Sequence, residues 1–102
     1  MSRYYDAQFC VSGTTEKTAE AIHKQISLSD VWPCGDFSFY EGEGRFGGEG
    51  YLYGGQDEEE FVAEVMDELS PEFDGEKLAI TMTYLEDLPT ETYGGIIGKE
   101  EE

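Results

Sequence analysis

The chain has 102 residues, of which 24 are Asp or Glu and 6 are Lys or Arg, giving a formal net charge of −18. That length holds one modest core and no second domain, and seven Tyr, six Phe and one Trp exclude the aromatic-poor composition of a disordered acidic tail. The negative field excludes a direct grip on nucleic acid or on an anionic membrane, and it favours basic surfaces as partners.

Charge is concentrated in the second half. Residues 1–51 hold eight acids and four bases, whereas residues 52–102 hold sixteen acids and two bases. No apolar run approaches the roughly 18 residues of a membrane helix, and no charged-then-apolar leader opens the chain. A soluble, intracellular protein is expected. Cys10 and Cys34 match no metal or redox spacing, so both are expected as reduced, partly buried thiols.

Tyr4 to Ser12 alternates Tyr5, Ala7, Phe9 and Val11 against Tyr4, Asp6, Gln8 and Cys10, the pattern of a half-buried strand. Gly13 breaks it, and Thr14 or Thr15 can cap the helix that follows. This helix runs to about Ser27, with Ala19, Ile22, His23 and Ile26 on one face and Glu16, Lys17, Glu20 and Lys24 on the other. Its Glu20–Lys24 pair is a favourable i, i+4 contact. Leu28 to Gly35 is a connection in which Trp32-Pro33 plugs one end of the core. Phe37 to Glu41 reads as a second strand. The glycine-rich run Gly42 to Gly50 reads as the tip and flank of a hairpin, completed by a third strand at Tyr51-Leu52-Tyr53.

Asp57 to Glu76 follows, with ten acidic residues and no Lys, Arg or His. Phe61, Val62, Val65, Met66 and Leu69 form one apolar stripe at helical period. Asp57 and Glu60 have capping-box spacing, Glu58 and Glu59 fill a first turn that favours negative charge, and Pro71 stops the helix after Leu69. On the other face Glu60, Glu64 and Glu68 recur at i, i+4 with no cation between them. Each such like-charge pair costs roughly 0.2–0.5 kcal/mol, which folding does not require. Lys77 to Leu85 then alternates Leu78, Ile80, Met82 and Tyr84 against Ala79, Thr81, Thr83 and Leu85, a fourth strand ended by Pro89. Tyr93 to Ile97 could add a short edge strand, but Gly94-Gly95 weaken it, and four strands are expected. Residues 1–98 form the expected domain and 99–102 an acidic disordered tail.

The order strand, helix, strand, strand, helix, strand predicts an α+β, ferredoxin-like β-α-β-β-α-β fold, a four-stranded antiparallel sheet with two helices on one face. The open face would present Tyr4, Gln8, Cys10, Ser38, Tyr40, Thr81 and Thr83, with Tyr51 and Tyr53 if the register allows.

Catalysis and cofactors find little support. His23 has no carboxylate four residues away, neither Cys has a local activating base, and Ser12-Gly13-Thr14-Thr15 lacks the Lys of a phosphate-binding loop. Glu72-Phe73-Asp74-Gly75-Glu76 has alternating acids around a glycine but not the full calcium-loop pattern, so no metal site is assigned. No enzyme activity and no cofactor are expected. The tyrosines of the open face invite base stacking, but six bases in all cannot hold a phosphate backbone.

The acid row admits a solvated face, an adaptation to high salt, or an imitation of phosphates. A net magnitude of about 2–8 is enough for solubility, and the first helix mixes Lys with Glu, so imitation is preferred. With Asp57, Glu58, Glu59, Glu60, Glu64, Asp67 and Glu68 and its overall charge, the chain resembles the small phage-type inhibitors of bacterial defence, the anti-CRISPR and anti-restriction proteins that act as DNA mimics. The resemblance covers size and charge and no family motif. It implies stoichiometric blocking of a basic nucleic-acid-binding protein or complex in the cytoplasm of a bacterial host. The expected contacts are those acids together with Glu72, Asp74, Glu76, Tyr40 and Tyr51. The alternative is a small acidic adaptor that binds its partner through the tyrosine-rich sheet face. Charge does not decide between monomer and homodimer.

Overall fold

The first strand of the chain becomes the middle of the sheet. β1 (Arg3–Ser12) pairs antiparallel with β3 (Glu43–Leu52) on one side and with β4 (Lys77–Tyr84) on the other. β2 (Ser38–Tyr40) extends the sheet beyond β3 and β5 (Thr90–Ile96) beyond β4, giving the order β2-β3-β1-β4-β5 with every pair antiparallel. Two helices complete this α+β fold, α1 (Glu16–Leu28) after β1 and α2 (Glu58–Leu69) after β3. The computed structural model describes residues 3–29, 31–52, 56–86 and 90–98. The expected tail at 99–102 and Tyr53 lie outside the described residues.

Period-2 alternation sorts the sheet into two faces. Tyr5, Ala7, Phe9 and Val11 of β1, Phe46 and Leu52 of β3, and Leu78, Ile80 and Met82 of β4 are buried. They join one cluster with Ala19, Ile22 and Ile26 of α1 and Phe61, Val65 and Leu69 of α2. The helices also touch each other, α1 lying against β3 and α2 against β5. Thr15 caps α1 through a hydrogen bond from the Thr18 backbone N–H. Trp32 seals one end of the core, its ring 4.8 Å from that of Phe61 and its Nε1–H donated to the Gly48 carbonyl at 2.9 Å. The opposite face carries Tyr4, Asp6, Gln8 and Cys10 of β1, which the register sets beside Tyr51, Glu49, Gly47 and Arg45 of β3.

The structure corrects two expectations. The sheet has five strands and not four, because Thr90–Ile96 pairs along β4. Two hydroxyl contacts bind that pair on the open face, Thr81 to Thr92 at 3.0 Å and Thr83 to Thr90 at 3.1 Å, and Ile97 just beyond is buried in the core. The glycine-rich run is the tip and flank of a hairpin as expected, but the third strand is much longer than Tyr51-Leu52-Tyr53. β3 passes straight through the run, and the reversal takes only Glu41 and Gly42, whose φ values of 53° and 81° are those of a two-residue type I′ turn closing Tyr40 against Glu43. Glycine is present in β3 for proximity. A Cβ at Gly48 would stand 2.2 Å from the Pro33 carbonyl oxygen, so the chain after α1 can lie directly on the strand only where no side chain intervenes.

Candidate functional site

α2 starts with a complete capping box. Asp57 accepts from the Glu60 backbone N–H at 2.8 Å, and the Glu60 carboxylate accepts from the Asp57 N–H at 3.3 Å. Three turns then bury Phe61, Val65 and Leu69, with Val62 and Met66 partly covered. This stripe orients every acid on the helix.

The acids divide by what they touch. Glu58 turns toward the sheet and accepts from the Tyr5 hydroxyl at 2.5 Å. Glu68 turns toward α1, where it accepts from Gln25 Nε2 at 2.9 Å and from Ser29 Oγ at 2.7 Å. Glu59, Glu60, Glu64 and Asp67 stay exposed, Glu64 with a 2.8 Å contact from Gln56 Nε2. The expected row of Glu60, Glu64 and Glu68 is therefore re-drawn as Glu59, Glu60, Glu64 and Asp67. Glu72 and Asp74 are exposed beyond the helix, and Glu76 is half-buried with one carboxylate oxygen enclosed.

From Glu59 to Asp67 the helix rises about 12 Å at 1.5 Å per residue. Four carboxylates over that length approach the one charge per about 3.4 Å of a nucleic-acid strand. Among the described residues the one ion pair is Arg45 with Glu43, on the open face of the sheet and not on α2. Arg3 comes nearest in role, donating to the Gln56 carbonyl just ahead of the helix.

The acids of the first turn also set the environment of two phenols. Burial first, and then the hydrogen bond to Glu58, push Tyr5 up to about 12. Burial again leads for Tyr93, with the charge of Glu58 next, and it too is pushed up to about 12.

The two tyrosines expected in the contact surface are not brought together. Tyr40 (76% exposed) lies beside the β2–β3 turn, whereas Tyr51 (49% exposed) lies near the other end of β3. Eight residues of strand separate the Tyr40 partner Glu43 from Tyr51, about 27 Å at 3.4 Å per residue. Both also face away from the helices, so α2 and the tyrosines form two surfaces and not one.

Tyr51 instead meets Tyr4, with ring centroids 4.7 Å apart, and the Tyr4 hydroxyl donates to Glu49 Oε1 at 2.6 Å. This grouping was not read from the sequence. Alternation puts Tyr4 and Tyr51 outward, but only the register, Tyr4 opposite Tyr51 and Asp6 opposite Glu49, sets them side by side.

His23 sits between Phe37 and Phe46 with Nε2 2.9 Å from the Gly35 carbonyl oxygen, which makes that nitrogen the donor. Cys10 and Cys34 are free thiols, both half-buried, and burial pushes Cys34 up to about 11. Among the described residues no group of three or more His, Cys, Asp or Glu could hold a metal ion, and no helix is long and apolar enough to cross a membrane. Comparison of the chain with protein-family models, with curated proteins and with solved structures finds no match.

Proposed function

We propose that the protein is a non-enzymatic inhibitor that occupies a basic nucleic-acid-binding surface by presenting α2 in place of a phosphate strand. The observation that carries this reading is the exposed row Glu59, Glu60, Glu64 and Asp67, none of which meets a cation among the described residues. Fold stability gains nothing from such a row, since neighbouring like charges on a helix repel. A partner lined with Lys and Arg gains fast, salt-sensitive association from it. The host class that fits is a bacterial defence complex, met in the cytoplasm, as with the anti-CRISPR-like inhibitors that the charge resembles. With β5 set aside, the order β2-β3-β1-β4 supports reading the scaffold as a ferredoxin-like split β-α-β unit with an added edge strand.

The deciding experiment is competition. Proteins captured from a bacterial lysate on the immobilised chain should be nucleic-acid-binding proteins, and they should be released by short duplex DNA or RNA and by rising NaCl. Capture that persists under saturating nucleic acid contradicts phosphate imitation and favours an adaptor binding through the open sheet face.

A further inference from the structure

β2 is only three residues long, so among the described residues the far half of β3 has no strand neighbour on that side. There, at the end of the sheet, is a cleft of about 460 Å³ lined by Tyr4, Tyr51, Trp32, Pro33 and Glu49. The volume falls within the ~300–1,000 Å³ of ordinary ligand pockets. Its walls are mainly aromatic and apolar, and among the described residues its one charged lining residue is a carboxylate.

That combination selects by chemistry. Aromatic faces attract cations through the ring quadrupole, and a carboxylate fixes where the cation sits. Tyr4 and Tyr51 form a tilted pair, with centroids 4.7 Å apart and planes at 48°. Tyr4 holds Glu49 by Oε1, and Oε2 has no hydrogen-bond partner among the described residues. Trp32 is the buried floor of the cleft, 2% exposed, with its ring on Phe61 and its Nε1–H on the Gly48 carbonyl. A planar guanidinium can stack on a tyrosine ring while donating to a carboxylate, whereas an ammonium is compact and strongly hydrated. A nucleobase could stack there too, but Glu49 and a net charge of −18 repel the phosphates attached to it.

We propose that this cleft takes the guanidinium group of an arginine side chain presented by a partner protein, set against the ring of Tyr4 and paired with Glu49. The site shares no residue with the exposed row of α2, so it stands whether or not that row imitates phosphates.

The test uses the intact chain titrated with N-acetyl-arginine amide at fixed ionic strength. The neutral isostere N-acetyl-citrulline amide and N-acetyl-lysine amide are run beside it. Trp32 is the only tryptophan and forms the floor of the cleft, so its fluorescence reports a change there, and amide shifts of Glu49, Gly50 and Tyr51 locate the site. Expected is a saturable response to the arginine amide that is about tenfold weaker for citrulline and in Glu49→Gln, as loss of a charge-assisted pair implies. Tyr4→Phe should weaken it less, since the ring stays and only the hydroxyl that orients Glu49 is lost. The combined variant Glu59→Lys, Glu64→Lys, Asp67→Lys should keep the response, which separates this site from the α2 reading. A non-saturating response, an equal response to citrulline or lysine, or an unchanged curve in Glu49→Gln would overturn the assignment.

Discussion

Tyr5 and Glu58 tie the middle strand of the sheet to the first turn of the acidic helix, the phenol donating to Glu58 Oε2 at 2.5 Å. One acid of the run thus acts as an anchor for α2 and not as part of its solvent face. The bond holds only while the phenol keeps its proton.

This sets a pH dependence at the alkaline end. Tyr5 and Tyr93 are each pushed up to about 12 and Cys34 to about 11, all above their ordinary values of 10 and 9. A group that holds its proton more tightly when folded contributes stability that is complete below its unfolded pKa and is lost as pH rises through its folded pKa. Stability should therefore be level up to about pH 9 and fall between about 9 and 12, the window bounded by those unfolded and folded values. Urea midpoints by circular dichroism across that range are the measurement. Tyr5→Phe should be less stable at neutral pH and show a shallower alkaline decline. An unchanged slope would mean that Tyr5 titrates as it does in the unfolded chain.

The close approach at Gly48 is a second point of failure. A Cβ there meets the Pro33 carbonyl, which is backbone and cannot rotate away. Gly48→Ala should cost about 1–3 kcal/mol by overpacking and disturb the hydrogen bond from Trp32. Denaturant unfolding followed by Trp fluorescence reads both effects. A variant with native stability and an unshifted emission maximum would show that the segment after α1 moves freely over β3.

What was legible in the sequence were the patterns that repeat within one element. The stripe Phe61, Val65, Leu69 and the alternation of Tyr5, Ala7, Phe9 and Val11 each identify a buried face without help from any neighbour. The full length of β3 is not legible, because the reason for a glycine within it lies elsewhere in the chain, at Pro33 for Gly48. β5 was discounted because its support is pairing, Thr92 and Thr90 against Thr81 and Thr83, which no local period reveals. On α2 the spacing puts Glu68 in the outward row and the charge puts Glu58 among the contact acids, whereas both turn inward. Their partners Tyr5, Gln25 and Ser29 are 53, 43 and 39 residues away in the chain.

Two neighbours on α2 should accordingly respond in different ways. Glu68 accepts two hydrogen bonds that join α2 to α1, so Glu68→Ala should cost about 1 kcal/mol. Glu64 lies on the exposed row with a single surface contact, and Glu64→Ala should stay within about 0.5 kcal/mol. Since Glu60 and Glu64 repel at i, i+4, the melting temperature of the parent chain should rise as NaCl brings the screening length to about 8–10 Å. Thermal melts of the three proteins in low and moderate NaCl are the check. A melting temperature that is flat or falls with salt would mean that the row is already neutralised.

The structure also changes how the proposed binding row should be challenged. Asp57 and Glu60 close the capping box, and Glu58 and Glu68 hold the helix to the sheet and to α1, so reversing any of them confounds folding with binding. Glu59, Glu64 and Asp67 are the exposed acids whose reversal leaves those contacts intact. Single reversals should have small effects, because solvent-exposed pairs at an interface contribute only about 0–1 kcal/mol each. The informative variant reverses all three to Lys, turning three attractions into three repulsions. It should keep the circular dichroism spectrum of the parent and lose capture of the nucleic-acid-binding partner, measured by surface plasmon resonance at physiological salt. Tyr40→Ala should weaken capture far less, since Tyr40 faces away from α2 on the other side of the sheet. A folded triple reversal that binds at full affinity would sink the imitation of phosphates, and loss of binding in Tyr40→Ala alone would move the interface to the open face.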